Sequence, residues 1–189
     1  IAIGTKLYDA SAMDLVIEAD TQIGNGVITV YSSKCCMIHE TEEVLLAERK
    51  QSCGKCTFCR EGLIQLHTMV KEITEGQGKK EFTDMMEEIG EAMTFSTPCT
   101  MGQTASDFAM GSLKYFAGEY EDHIKKKKCA NNVCSAFMSI YIDPDLCEGC
   151  EECADVCPAD AIEGKSGYIH MIDEFECTKC GKCISACEN

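Results

Sequence analysis

Four cysteines at Cys147, Cys150, Cys153 and Cys157 recur thirty residues later as Cys177, Cys180, Cys183 and Cys187, each at the same offset. The duplication extends upstream, where Ile142-Asp143 is matched by Ile172-Asp173. Such a repeat marks a pseudo-twofold module whose halves are built alike. A secreted disulfide scaffold is the usual outcome of sixteen cysteines in 189 residues. Cysteines at two-residue gaps, however, are poorly placed to bridge each other, and metal ligation fits them better. Each half is expected to run through a strand (Ser139–Ile142, Tyr168–Ile172), a cysteine loop and a short helical turn.

The spacing C-x2-C-x2-C-x3-C-Pro from Cys147 to Pro158 is that of the bacterial two-cluster ferredoxins, in which the fourth cysteine of each run ligates the other cluster. One [4Fe–4S] cluster is therefore expected on Cys147, Cys150, Cys153 and Cys187, and its neighbour on Cys177, Cys180, Cys183 and Cys157. The halves differ after their last cysteine. Pro158 to Ile162 follow Cys157, whereas only Glu188 and Asn189 follow Cys187. Either the chain continues or one strand of this domain is absent.

A second cysteine-rich stretch, Ser52 to Gly62, holds Cys53, Cys56 and Cys59 at two-residue gaps, and a lone Cys99 sits in Thr-Pro-Cys-Thr-Met-Gly. Three thiolates on one loop reach three corners of an iron–sulfur cube, and a distant fourth closes the cage. Structural zinc also takes four thiolates, but more often from two paired knuckles. Helices are expected over Glu40–Lys50, Arg60–Glu75, Lys79–Met93, Ala105–Ala117 and Tyr120–Lys128, with Phe95–Gly102 as a loop bearing Cys99. The helix after the Cys53 loop would turn its positive dipole end toward an anionic cluster. The methionines at 69, 85, 86, 93, 101 and 110 read as flexible core filler, and His67 as an ordinary helix histidine.

Ile1 to Val30 reads as short strands and turns, with Gly24-Asn25-Gly26 as a hairpin turn rather than a dinucleotide fingerprint. No phosphate-binding loop of recognised form occurs, which argues against a nucleotide site built within this chain. The net charge of −15 argues against nucleic acid as the main partner, and no apolar run approaches a membrane span. With no secretory signal at the start, the cysteines point to a reducing, anoxic cytoplasm.

Three clusters use twelve cysteines and leave Cys35, Cys36, Cys129 and Cys134. With His123 six residues before Cys129, a Cys3His zinc site on Cys36, His123, Cys129 and Cys134 is one reading, with Cys35 in place of Cys36 as a variant. Free thiols are the other. The fold class expected is α+β. A partial β domain (1–39) precedes a helical bundle with one [4Fe–4S] cluster (40–128), a linker with the candidate zinc site (129–136) and a 2[4Fe–4S] ferredoxin-like domain (137–189).

Ser52-Cys53-Gly54-Lys55-Cys56 through Cys59-Arg60-Glu61-Gly62, with Cys99 before Met101-Gly102, resembles the C-terminal helical domain of the NADH-binding flavoprotein subunit of respiratory complex I. The likeness is closer to its relatives in electron-bifurcating hydrogenases and NAD-linked formate dehydrogenases, which carry a comparable linker and two-cluster domain. The resemblance implies a relay of single electrons, with FMN and NADH held on a partner or on a domain not seen in this sequence. It also implies a thioredoxin-like [2Fe–2S] subunit, and a ferredoxin-, hydrogenase- or formate dehydrogenase-type subunit, as partners. The chain would then be a non-catalytic part of an NADH-linked oxidoreductase. A zinc-bound interaction module without redox role is the competing reading.

Overall fold

The computed structural model describes residues 1–9 and 26–187, which fall into two compact units, 1–137 and 138–189. Gly24 and Asn25 of the expected hairpin lie outside the described residues.

Unit one is helical. Its main helices are α1 (Met37–Gln51), α2 (Thr57–Thr74), α3 (Phe82–Ser96), α4 (Thr100–Thr104), α5 (Asp107–Tyr115) and α6 (Ala117–Ile124). The second is central: Leu63, Leu66, Val70 and Ile73 recur at helical spacing and are buried against α1 and α3. Truncating a fully buried leucine such as Leu66 to alanine costs about 2–5 kcal/mol in such a setting. At its end the Gln77 N–H reaches back to Glu72 O at 2.7 Å while Gly76 sits at φ +80°, a left-handed stop. Lys127 Nζ then donates to Gly76 O at 2.7 Å, tying the 125–128 lysine run to the far end of α2.

This helix begins at Thr57, three residues earlier than the sequence suggests, and takes Cys59 into its first turn. The expected loop over 95–102 is also shorter. Helix α3 runs on through Ser96, α4 starts at Thr100, and the Thr97 hydroxyl donates to Met93 O at 2.7 Å across the break. Of the methionines, Met86 and Met93 are buried, but Met85 is exposed on the outer face of α3. A small antiparallel sheet, β1 (Ala2–Ile3), β2 (Lys6–Leu7) and β3 (Ile28–Thr29) in the order β2-β1-β3, packs Ala2 and Leu7 on Phe108 of α5 and Met37 of α1. Cys129, Cys134 and Phe137 belong to the helical core.

Unit two is mostly loop. It holds α7 (Glu152–Asp155), α8 (Lys182–Ala186) and a two-strand ladder, β4 (Ile162–Glu163) with β5 (Met171–Ile172). The expected strand at 139–142 forms no ladder among the described residues. The one ladder described in unit two pairs Ile162 with Ile172 and Glu163 with Met171.

The duplication is visible in the backbone. Cys147 N–H donates to Asp143 O and Cys177 N–H to Asp173 O, both at 3.0 Å. Left-handed residues recur at Gly149 and Lys179 and again at Glu151 and Gly181. Each pair is thirty apart, so the two cysteine loops take their left-handed residues at matching positions.

Candidate metal and cluster sites

In unit one Cys36, the residue before α1, meets His123 from the last turn of α6, and Cys129 and Cys134 from the segment that follows. All four are buried, and their donor atoms lie within 4.8 Å of one another. Cys36 Sγ is 3.7 Å from Cys134 Sγ, and His123 Nε2 is 3.4 Å and 3.5 Å from these two sulfurs. Tetrahedral zinc with Zn–S about 2.3 Å and Zn–N about 2.0 Å puts sulfurs about 3.8 Å apart, and sulfur and nitrogen about 3.5 Å apart. The residues present fit a zinc ion.

Two further contacts prepare the histidine for ligation. His123 Nδ1–H donates to Glu119 O at 2.8 Å, which leaves the Nε2 lone pair facing the sulfurs. The Glu119 carboxylate, its pKa raised by burial, accepts the Met37 N–H at 2.9 Å and so holds the start of α1 beside α6. Without metal, the Cys134 thiol donates to Cys36, and that bond, reinforced by His123, pulls the Cys36 pKa far down. Burial pulls His123 down, but the Cys36 thiolate overrides it and holds the imidazole up at about 9. The Cys134 thiol is pushed up by its bond to Cys36. The pocket thus holds one negative sulfur, at Cys36, while Cys134 keeps its proton until a metal displaces it. Cys35 is outside the group, its carbonyl accepting Asn131 Nδ2–H at 2.7 Å. His67 is paired with Arg49 at 2.8 Å, and burial followed by the Arg49 charge lowers its pKa.

The first cysteine loop folds around α2. Cys53 is exposed on the loop, Cys56 is the residue before the helix, and Cys59 is buried in the first turn. Arg60 Nη1 donates back to Gly54 O at 2.8 Å, and Gly54 N–H donates to Ser52 Oγ at 3.3 Å, so the loop closes on itself. No side chain caps α2, so its first amides remain available to an anionic group. Cys99 precedes α4, which packs against both α2 and α3. Three cysteines spread over this loop and the first turn of α2, with a fourth at the residue before α4, are the donor type and spacing that suit an iron–sulfur cube.

In unit two the cysteines line two cavities. One, of about 620 Å³, is lined by Cys147, Cys150, Cys153 and Cys187, with Cys183 also at its wall. The other, of only about 20 Å³, is lined by Cys157, Cys177, Cys180 and Cys183. The fourth cysteine of each half thus stands with the other half's first three. Ile140 and Ile172 line both cavities, so the two adjoin. Backbone amides already aim at sulfur: Ala161 N–H at Cys157 Sγ and Lys179 N–H at Cys177 Sγ, both 3.4 Å. The Lys182 amide, then Thr178, lowers the Cys180 pKa, while burial raises those of Cys153 and Cys183. One lining residue escapes the cysteine spacing altogether. His170 is buried at the wall of the larger cavity, and its only signal in the sequence is the apolar Ile140 thirty positions earlier.

Residues 40–123 match the family described as the NADH-ubiquinone oxidoreductase-F iron-sulfur binding region, and residues 139–188 match a 4Fe-4S dicluster domain. The chain thus holds an iron–sulfur region of that type followed by a dicluster region. It is 35% identical over 148 residues to "NADP-reducing hydrogenase subunit HndC" of Solidesulfovibrio fructosivorans, covering 78% of this chain and 30% of the relative. To "NADH dehydrogenase [ubiquinone] flavoprotein 1, mitochondrial" of Dictyostelium discoideum it is 30% identical over 104 residues, covering 55% of this chain and 22% of the relative. The chain therefore spans less than a third of the length of these relatives. The fold is shared with a crystal structure of NAD+-reducing [NiFe]-hydrogenase in the H2-reduced state, at TM-score 0.51 and 20% identity, over 54% of this chain and 18% of that one.

The relatives are named as subunits of an NADP-reducing hydrogenase and of an NADH dehydrogenase. A zinc scaffold without redox role is not favoured, because both matched regions are iron–sulfur domains. Among the described residues no helix is long and apolar enough to cross a membrane.

Proposed function

We propose that the chain relays single electrons through three [4Fe–4S] clusters between a flavin and NADH site on a partner or further domain and a low-potential redox partner. Cys53, Cys56, Cys59 and Cys99 would hold the first cluster. The set Cys147, Cys150, Cys153 and Cys187 would hold the second, and Cys157, Cys177, Cys180 and Cys183 the third. When bound, such clusters supply outer-sphere one-electron transfer with no bond to substrate. The observation that supports the reading is the crossed lining of two adjoining cavities in unit two, where the last cysteine of each half stands with the first three of the other.

The protein's part is electrostatic. The uncapped amides of α2 and the Lys55 and Arg60 charges favour the reduced state at the first site, and the amides on Cys157 and Cys177 do so at another. Glu148, Glu151, Glu152 and Asp155 act in the opposite sense around the Cys147 loop. Cys36, His123, Cys129 and Cys134 would hold a structural zinc that fastens the 129–134 segment to the helical core. The relatives' names support an NADH-linked flavoprotein and a hydrogenase-type subunit as partners. A thioredoxin-like [2Fe–2S] subunit, a ferredoxin or a formate dehydrogenase subunit is consistent with the same relay.

The test is iron, sulfide and zinc analysis of the chain purified without air, with paramagnetic resonance after dithionite. About twelve irons and one zinc per chain are expected, with signals from interacting clusters. Far fewer irons and no signal on reduction would overturn the relay.

A further inference from the structure

His170 is 2% exposed, and both of its ring nitrogens lack a hydrogen-bond partner. A neutral imidazole carries one donor and one acceptor, and leaving such groups buried and unpaired costs about 1–3 kcal/mol each. The position thirty residues earlier in the repeat is Ile140, which also lines this cavity and has no polar side-chain atom to satisfy. The histidine is therefore in need of an acceptor that the chain itself does not supply.

Its surroundings say what that acceptor is. His170 lines the larger cavity together with Cys147, Cys150, Cys153 and Cys187. It directly precedes β5, and the next residue, Met171, is 68% exposed, so strand alternation turns the imidazole to the inner face. The ring lies on Gly164, where any Cβ would overlap its Cγ, Cδ2 and Nε2, so the backbone of Gly164 fixes its place. The carboxylates at the same wall belong to Asp143, Glu148 and Glu152, all exposed; that of Asp143 already accepts the Asp145 N–H at 3.0 Å. A buried donor facing a cavity walled by four thiolates is suited to anionic sulfur.

We propose that the imidazole N–H of His170 donates a hydrogen bond to sulfur of the cluster held by Cys147, Cys150, Cys153 and Cys187, and thereby raises that cluster's reduction potential. The proposal rests on the cluster assignment made above. A hydrogen bond to sulfur stabilises the reduced, more negative state more than the oxidised one, so the electron sits lower at this site than it would beside an isoleucine. His170 is a tuning residue rather than a ligand, since four cysteines already complete the set.

The experiment is an anaerobic redox titration of the full chain, followed by paramagnetic resonance, for wild type, His170→Leu and His170→Gln, with iron and sulfide measured on each. In His170→Leu the ratio of reduced to oxidised cluster at a fixed ambient potential should fall about tenfold for one cluster only, about 59 mV for a one-electron couple. His170→Gln, which keeps an N–H donor, should restore part of that ratio. Wild type labelled with 15N-histidine should show a nitrogen hyperfine coupling to one reduced cluster, absent from His170→Leu. Full iron with unchanged potentials overturns the proposal and leaves the relay standing. Should both variants lose iron from this site, absence of the coupling in labelled wild type overturns it instead. If wild type holds no clusters in unit two, both readings fall together.

Discussion

The two kinds of cysteine site in unit one are built on opposite terms. At Cys36, His123, Cys129 and Cys134 every donor is buried and within 4.8 Å of the others. At Cys53, Cys56, Cys59 and Cys99 only Cys59 is buried, and Cys53 and Cys99 are exposed. The difference follows from what each would hold. A single ion demands donors about 3.5–3.8 Å apart and tolerates complete burial, since nothing need reach it. A four-iron cube keeps its cysteines farther apart and fills the gap itself, and an electron site works only if a partner can approach.

The strongest way to break this comparison is Cys134→Ser. If the buried cage is structural, zinc should fall to near zero and unit one should lose several kcal/mol of stability, since structural zinc carries apparent folding energies of about 10 kcal/mol or more. Iron should be unaffected, and metal analysis with thermal unfolding reads both. Zinc content equal to wild type would refute the cage.

Cys59→Ser should act the other way round. About four irons per chain should be lost with zinc retained, and the paramagnetic signals of unit two should persist. Loss of iron from unit two as well would mean that the sites are not independent.

Gly149→Ala tests the loop geometry in unit two. Gly149 sits at φ +73°, and an added Cβ would lie 2.6 Å from Tyr168 N and 2.7 Å from Tyr168 O, both backbone atoms that cannot step aside. Strain of about 1–2 kcal/mol from the left-handed conformation adds to that overlap. The expected readout is reduced iron in unit two, with unit one's zinc unchanged.

The smallest effect is a pH dependence next to the zinc cage. Tyr120 is fully buried, its hydroxyl 2.7 Å from Ser112 Oγ, and burial raises its pKa to about 12 from 10.0. The folded-state value is raised, so the contribution is fully present below pH 10 and is lost as pH rises through about 12. Two units correspond to about 2.7 kcal/mol. Tyr120→Phe should flatten that alkaline limb of the unfolding curve while lowering neutral stability by about 1 kcal/mol through the lost hydrogen bond. An unchanged alkaline limb would assign it to another group.

Much of the site was readable without coordinates because the chemistry is carried by one residue type at fixed gaps. Three cysteines two residues apart must share a loop, and a thirty-residue duplication must give two similar loops. The helices of unit one were readable in position, though not in their ends. Helix α2 captures Cys59 because its buried stripe starts there, and α3 runs past Met93 because Thr97 bonds back over its last turn. The 139–142 segment is apolar and strand-like in composition, yet a strand needs a neighbour, and the residues that pair with β5 are those of β4.

From sequence alone came the number of thiol sites, the crossed grouping expected of a duplicated C-x2-C-x2-C-x3-C run, and the short list of donors left for a metal. Only the tertiary structure separated Cys36 from Cys35, because consecutive residues before a helix point to different sides and the cage admits one of them. It alone turned His170 inward without a partner, since burial and hydrogen-bond satisfaction are properties of a packed surface and not of a pattern along the chain.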